Sequence, residues 1–386
     1  MNSPEAAGGS EAADRAWPPR PLMWGLTTAA VPVAVVLFLY FAARLVAKLA
    51  EGHTPFNEFT PLWAAGRLAN SSMPLSAFDT AALSIAMNTG PNLDMYWLYP
   101  PSGLVVMMPF GALPYLPAWL LWTGLGFVAW SAGLSRFTPA RIDLRLATVV
   151  APAALPALLY SIVAFFLAAC LLAALKVLRA ARPVLAGVLI GCLTVKPQLW
   201  LLLPVALAAA GAWSTIIAAT VTALVLAAAP TLIFGADYWP AWFAALEAHA
   251  DRRIGAAAED FGMIGVFPLL RQAGFDNVGA AAGQAVALMA GVVLSPPYLW
   301  IYDAVFSMLA GFFALRARIG GSVVALALFV ALWLGPLPFT ILGWFGIENG
   351  SAPGLIVILP TVLVAVLCLR QGPVQRKDSL PASSSM

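Results

Sequence analysis

A lysine stands inside an apolar stretch of the sequence, directly before a proline. It is Lys196, in the run Leu193-Thr-Val-Lys-Pro-Gln198. The proline must interrupt any helix that this run begins. An ionisable side chain within a membrane segment is expensive and is therefore a candidate functional group. At a helix break beside a cavity, Lys196 can hold an anion such as a phosphate. Alternatively, the long lysine side chain extends to the membrane surface.

A carboxylate follows the first long apolar run. It is Glu58, in Asn57-Glu-Phe59, and the motif Trp63-Ala-Ala-Gly-Arg67 comes shortly after it. A carboxylate just outside a membrane helix can act as a general base toward a substrate that arrives from the membrane surface. The alternatives are that Glu58 caps the next helix or is a solvated loop residue.

Two further polar residues stand near paired prolines. Tyr99 precedes Pro-Pro, which fixes an extended start for the next helix. Asp303 begins an otherwise apolar run, where it either caps the helix or faces a polar site. The only histidines, His53 and His249, lie in separate loops without metal-ligand spacing, so no metal site is predicted.

The composition indicates a chain whose solvent is lipid. Hydrophobic residues make up 62% of it and charged residues 10%, whereas soluble domains are about a quarter charged. Several apolar runs, such as 22–46, 116–134 and 216–234, are as long as a bilayer core, and none alternates with a period of two. The sequence therefore predicts an all-α polytopic membrane protein. The formal net charge of +3 is too small to indicate a nucleic-acid partner.

Basic residues next to apolar runs predict the orientation. Arg15 and Arg20 precede the first helix, and Arg370, Arg376 and Lys377 follow the last. Both termini are therefore expected in the cytoplasm, with an even number of crossings, about ten (8–12).

The same pattern divides the chain into a single membrane domain with two terminal tails. The expected divisions are a disordered N-terminus 1–21, a transmembrane domain 22–370 and a disordered tail 371–386. Within the domain, residues 51–98 and 235–262 are expected to form loops on the non-cytoplasmic side, the first of them structured.

One proline-broken stretch, residues 146–160, is too short to cross comfortably. A half-helix or re-entrant piece is expected there, since irregular backbone is tolerated where protein or a cavity lines it. That choice places Arg136, Arg141 and Arg145 on the non-cytoplasmic side, against the charge rule.

These segments, in this order, resemble glycosyltransferase family 87, the polyprenol-phosphate-mannose-dependent α-mannosyltransferase-like membrane proteins of bacteria. The resembling segments cover most of the chain: Glu58-Phe59, Trp63–Arg67, Ala77–Asp79, Trp97–Pro101, Pro109, Leu113-Pro114, Arg182-Pro183, Ala186-Gly187, Gly191, Lys196–Gln198, Ser295-Pro296 and Tyr302-Asp303.

The resemblance implies a GT-C-like helical bundle in the bacterial inner membrane, with its active site on the periplasmic side. Such a protein moves a hexose, here expected to be mannose, from a polyprenyl phosphate sugar to a hydroxyl of a glycan or glycolipid. Glu58 stands where the family usually has aspartate and is the expected catalytic base. Lys196 matches the family's Lys-Pro and suits the lipid phosphate, while Arg67, Gln198, Tyr99 and Asp303 complete the expected substrate contacts. No cofactor is expected beyond the donor, and a divalent cation remains open.

Two departures from the family keep other functions open. Tyr160-Ser161-Ile162 stands where family members have Gly-Gln, and the chain between Gln284 and Ser295 is shorter than the family pattern. An inactive relative that binds or moves a lipid-linked sugar is therefore the alternative. A secondary transporter is a third hypothesis, but the two broken regions fall in the same half of the chain, without the expected inverted repeat.

Overall fold

The computed structural model describes a helical membrane protein. It covers residues 17–55, 57–90, 95, 97–155, 157, 163–197, 200, 203–256, 270–271, 276, 303–335, 337 and 352–370. Within these residues there are α-helices and short 3-10 helices but no strands. The prediction of an all-α polytopic membrane protein is confirmed.

The helices are numbered here in chain order. They are α1 Arg20–Ala50, α2 Phe59–Ala69, α3 Thr80–Met87, α4 Pro101–Gly111, α5 Tyr115–Ser135, α6 Ile142–Val149, α7 Val163–Arg179, α8 Pro183–Cys192, α9 Leu203–Ala209, α10 Trp213–Phe234, α11 Tyr238–Ala256, α12 Ala304–Ala317, α13 Ser322–Leu334 and α14 Ala352–Arg370. Three 3-10 turns lie between them, at Pro74–Phe78, Pro152–Ala154 and Leu193–Val195.

Two of the described helices, α1 and α10, are long and apolar enough to cross a membrane alone. The most apolar stretch of α10 is only 6% buried, so its side chains must face lipid rather than water. Helices α4 and α5 qualify together as one span bent by 119°, and four shorter apolar helices lie elsewhere. The count of about ten crossings stays a prediction, because the described segments do not fix it.

Arginines from three parts of the chain meet at one end of the bundle. Arg141 donates from Nη1 to the carbonyl of Trp17 at 2.9 Å and from Nη2 to the carbonyl of Pro18. Trp17 Nε1 donates to the carbonyl of Leu315 at 2.9 Å, and the Arg318 guanidinium lies 5.4 Å from the Trp17 ring centroid. Residues 17–19, expected within a disordered N-terminus, are therefore anchored.

We call this region the arginine end, defined by Arg141, Arg179, Arg316 and Arg318. The expectation that Arg141 lies on the opposite side from the N-terminus is wrong, since it binds Trp17 directly. Arg179 lies at the same end, 5.4 Å from the Phe137 ring centroid. The chain therefore leaves the arginine end at Arg141 and returns to it at Arg179.

The structure of α6 explains why residues 146–160 do not form one continuous membrane-spanning helix. Helix α6 has eight residues, which rise about 12 Å and cannot span a hydrocarbon core of about 30 Å. A 3-10 turn at Pro152–Ala154 follows it. The expected half-helix is present, and it starts at the arginine end, the side that the basic residues favour, and stops partway across the core.

The predicted first outer loop, 51–98, is folded. Helices α2 and α3 lie within it, and Thr54 Oγ1 donates to the carbonyl of Met87. Asn88 Nδ2 donates to the carbonyl of Gly52 at 3.0 Å, which closes the loop on itself. Helix α11 occupies 19 residues of the second expected loop, 235–262, and residues 257–262 lie outside the described part.

Two glycines of α8 bring it against α10. A Cβ added at Gly187 would collide with the carbonyl oxygen of Thr215, and one at Gly191 would lie 2.5 Å from Thr222 Cβ. Small residues four apart allow such close helix contact within a membrane. Since both residue numbers increase together along the contact, α8 and α10 run parallel. The chain between them must therefore return to the arginine end. We call this returning segment, of which residues 193–197, 200 and 203–212 are described, the re-entrant hairpin.

We expect Gly191→Val to destabilise the protein and to displace the hairpin tip, because the side chain has no room against Thr222. The thermal unfolding temperature of the detergent-purified protein should fall by several degrees. Gly124→Val is the matched control, since a Cβ at Gly124 meets no atom within 4 Å. Equal unfolding temperatures for the two variants would contradict the close contact of α8 and α10.

Candidate active site

Lys196 and Asp303 form a buried ion pair. Lys196 Nζ lies 2.7 Å from Asp303 Oδ1, and the two residues are only 6% and 2% exposed. They are 107 residues apart in sequence. The alternative that Lys196 extends to the membrane surface is wrong, because its ammonium group points into the protein.

The local sequence explains why the two groups meet. Pro197 prevents α8 from continuing, and the 3-10 turn at Leu193–Val195 leaves Lys196 in a non-helical conformation with φ −131° and ψ 71°. Asp303 occupies the N-cap position of α12 but makes no capping hydrogen bond. Asp303 thus has the N-cap position that one alternative expected, and its side chain contacts a polar partner, as the other expected.

The pair lies deep in the bundle. Thirteen residues separate Arg182 from Lys196, and α12 has 14 residues between Asp303 and the arginine end. Both helical paths rise about 20 Å from the arginine end. The ion pair therefore lies about two thirds of the way across a hydrocarbon core of about 30 Å, nearer to the side opposite the arginines.

Two aromatic residues that follow Lys196 and Asp303 closely in the sequence contact each other. Trp200 and Phe306 meet edge to face with ring centroids 5.3 Å apart, one turn beyond Lys196 and Asp303 respectively. Trp200 Nε1 is buried and has no hydrogen-bond partner among the described residues. A buried N–H group without a partner costs free energy unless a ligand or a water molecule accepts a hydrogen bond from it. Sequence reasoning missed Trp200, and its spacing of four residues from Lys196 was the available signal.

Glu58 lies at the start of α2, in the first outer loop. It is half-buried and makes no capping hydrogen bond. Asn57 caps α2 instead, since its Oδ1 accepts from the backbone N–H groups of Phe59 and Thr60 at 2.9 and 3.1 Å. Of the alternatives for Glu58, side-chain capping is therefore wrong.

A hydrogen-bonded network fixes the backbone on both sides of Glu58. Asn57 Nδ2 donates to the hydroxyl of Tyr115 at 2.9 Å, and Thr60 Oγ1 lies 3.1 Å from the same hydroxyl. The Phe59 ring packs against those of Tyr115 and Trp122. Glu58 is therefore presented from a rigid turn that is tied to the first turn of α5.

Arg67 and Tyr99 lie in or directly after the first outer loop. Arg67 is exposed, and its guanidinium lies 4.9 Å from the Trp63 ring centroid. Tyr99 is half-buried, and its ring centroid lies 5.5 Å from that of Trp97. Of the predicted site residues, the structure joins Lys196 to Asp303. Gln198 lies outside the described residues.

Two further buried donors lie where the outer loops pack together. Tyr238 contacts Phe78 of the first loop, with ring centroids 4.9 Å apart, and Trp242 Nε1 donates to the carbonyl of Leu98 at 3.4 Å. The Tyr238 hydroxyl and Trp97 Nε1 are buried and have no hydrogen-bond partner in the described part of the chain. Burial raises the pKa of the Tyr238 phenol well above its ordinary value, so the hydroxyl keeps its proton.

Comparison with known proteins gives one match. The sequence pattern of glycosyltransferase family 87 matches residues 97–369, which include Tyr99, Lys196, Gln198 and Asp303 and begin after Glu58 and Arg67. No curated protein and no solved structure matches the chain. Because the matched segment covers more than half of its 386 residues, the protein belongs to glycosyltransferase family 87.

Proposed function

We propose that this glycosyltransferase moves a hexose, mannose, from a polyprenyl phosphate sugar to a hydroxyl of a glycan or glycolipid on the non-cytoplasmic side of the inner membrane. One observation carries the proposal: a lysine and an aspartate are buried together at the tip of a re-entrant hairpin, deep in a membrane protein of this family. Buried ionisable groups at such depth mark sites where charged substrates are handled.

The proposed reaction is a single displacement at the anomeric carbon. Glu58 removes the proton from the acceptor hydroxyl, and the acceptor oxygen forms a bond to the anomeric carbon. The bond between that carbon and the phosphate oxygen breaks, and polyprenyl phosphate leaves with one additional negative charge. Lys196 stabilises that charge, and the anomeric configuration is inverted.

The depths of the two groups support this division of roles. Asn57 binds Tyr115 at the first turn of α5, which has 21 residues and rises about 30 Å from its end near the arginines. Glu58 is thus about 10 Å farther from the arginine end than Lys196. This separation is similar to the length of a line that runs from the base through the acceptor oxygen and the sugar carbon to the phosphate.

Asp303 is proposed as a positioning residue. It accepts a hydrogen bond from the Lys196 ammonium group and so fixes the orientation of that group while the site is empty. A lysine ammonium has three donors, so it can bind a phosphate oxygen while it keeps its bond to Asp303. The same site would bind a lipid-linked sugar without reacting if Glu58 were not a base, and this is the inactive relative that remains the second candidate function.

Transfer by the purified protein tests the proposal. Wild-type protein in lipid–detergent micelles receives radiolabelled polyprenyl phosphate mannose and a glycolipid fraction as acceptor, and labelled acceptor is measured with time. We expect turnover that stops when the protein is omitted. Saturable binding of the donor without any labelled product would favour the inactive relative, and neither binding nor transfer would exclude both.

A further inference from the structure

The arginine end carries more positive charge than its carboxylate can neutralise. Its four arginines come from α6, α7 and α12, or from residues directly beside them. Asp143 is the one acidic residue that the described structure places there. Arg141 engages it fully, with Nε 3.0 Å from Oδ1 and Nη2 2.8 Å from Oδ2.

Among the described residues, no carboxylate forms an ion pair with Arg179 or Arg316. Phe137, which the Arg179 guanidinium contacts, packs against Phe313, one turn before Arg316 in α12, so the two arginines are neighbours. Asp143 is already bound to Arg141, and like charges held together destabilise one another unless an anion lies between them. The arrangement of Arg179 and Arg316 therefore favours an added negative group.

Aromatic rings orient both guanidinium groups. Arg179 Cζ lies 5.4 Å from the Phe137 ring centroid, and Arg316 Cζ lies 5.9 Å from that of Phe312. Phe137 in turn contacts Phe313 beside Phe312, with centroids 5.4 Å apart. A guanidinium held against a ring keeps its in-plane N–H donors available and loses little further entropy when it binds an oxyanion.

The cluster also lies at the height of lipid headgroups. Arg179 ends α7 and Arg316 is in the last turn of α12, where these apolar helices leave the hydrocarbon core. Apolar side chains beside it face outward: Val184 in the first turn of α8 is 61% exposed, and Val323 in the first turn of α13 is 80% exposed. Phosphate-binding donors next to apolar surface match a phospholipid, which has both an anionic headgroup and acyl chains.

We propose that Arg179 and Arg316 bind the phosphate of an anionic phospholipid, such as phosphatidylglycerol, at the end of the bundle opposite the donor site. Its acyl chains lie against the apolar surface beside Val184 and Val323. The chain's own segment 1–16, with Glu5, Glu11 and Asp14, offers carboxylates but no acyl chain. The exposed valines therefore favour the lipid as the occupant.

Lipid binding to the full-length protein tests this. Wild type and Arg179→Gln/Arg316→Gln are titrated with phosphatidylglycerol in phosphatidylcholine micelles, and retained lipid is counted by native mass spectrometry alongside thermal unfolding. We expect the double variant to bind phosphatidylglycerol about tenfold more weakly. Arg20→Gln/Arg182→Gln is the matched control, because it removes the same charge from exposed arginines at this side and should bind like wild type.

Three results would overturn the proposal. One is equal binding of phosphatidylglycerol by wild type and Arg179→Gln/Arg316→Gln. Another is stabilisation by inorganic phosphate or glycerol phosphate as large as that by the lipid, which would assign the site to a free phosphate. The third is lipid binding that appears only when residues 2–15 are deleted, which would assign the site to the chain's own acidic segment. The lipid-binding test does not depend on sugar transfer, so its failure would leave the proposed reaction unaffected.

Discussion

Replacing Lys196 with methionine is expected to abolish sugar transfer and to destabilise the protein. The substitution leaves Asp303, which is 2% exposed, as a buried charge without its partner at 2.7 Å. Breaking a buried ion pair on one side costs about 3–5 kcal/mol. The loss should appear as a lower thermal unfolding temperature of the purified protein and as transfer below detection with polyprenyl phosphate mannose.

A double variant separates structure from chemistry at this pair. In Lys196→Met/Asp303→Leu neither charge remains, and replacing a buried pair by apolar side chains of similar size is often neutral or stabilising. Stability should therefore return close to wild type while transfer stays absent. Recovery of transfer together with stability would show that Lys196 is structural. Lys176→Met is the control for loss of a lysine, since Lys176 is exposed in the last turn of α7.

Glu58→Gln is expected to lower the transfer rate by about 10²–10⁴-fold, the usual contribution of a general base. The amide keeps the size of the side chain but accepts no proton from the acceptor. Folding should be unchanged, because glutamine has the same size as glutamate and Asn57 caps α2 in both proteins. The measurements are initial rates at saturating donor and the unfolding temperature of the same preparation.

Two matched variants sharpen the Glu58 result. Glu51→Gln removes an exposed carboxylate of the same loop that is bound to Lys48, and it should transfer at the wild-type rate. Glu58→Asp should keep part of the activity, because the base is retained but lies about one methylene farther from the acceptor. Wild-type rates in Glu58→Gln would remove the general base from the mechanism.

Composition and proline positions were sufficient to predict the membrane fold. They also predicted that Lys196 stands at a helix break as a candidate functional group. A charged residue in an apolar run has few tolerable environments, and Pro197 requires a helix break there whatever the tertiary structure. The half-helix at α6 was predictable for the same reason, since prolines stop it before it can span the core.

Contacts between distant segments could not be predicted from local patterns. Nothing near Lys196 indicates that its partner is Asp303, 107 residues later, because that choice depends on how the re-entrant hairpin packs against α12. The predicted side of the membrane for Arg141 was wrong for a similar reason. Local apolar length cannot show whether a proline-broken stretch turns back or continues across the membrane, whereas the contact between Arg141 and Trp17 shows which end Arg141 occupies.

The most direct test of the proposed site is a cryo-electron microscopy map of the wild-type protein with polyprenyl phosphate bound. We expect the phosphate within about 3 Å of Lys196 Nζ, near the Lys196–Asp303 pair and on the side that faces Glu58. The lipid tail should leave the bundle between its helices, away from the arginine end. A phosphate bound elsewhere, with Lys196 and Asp303 still paired 2.7 Å apart and no contact to the ligand, would contradict the proposed site.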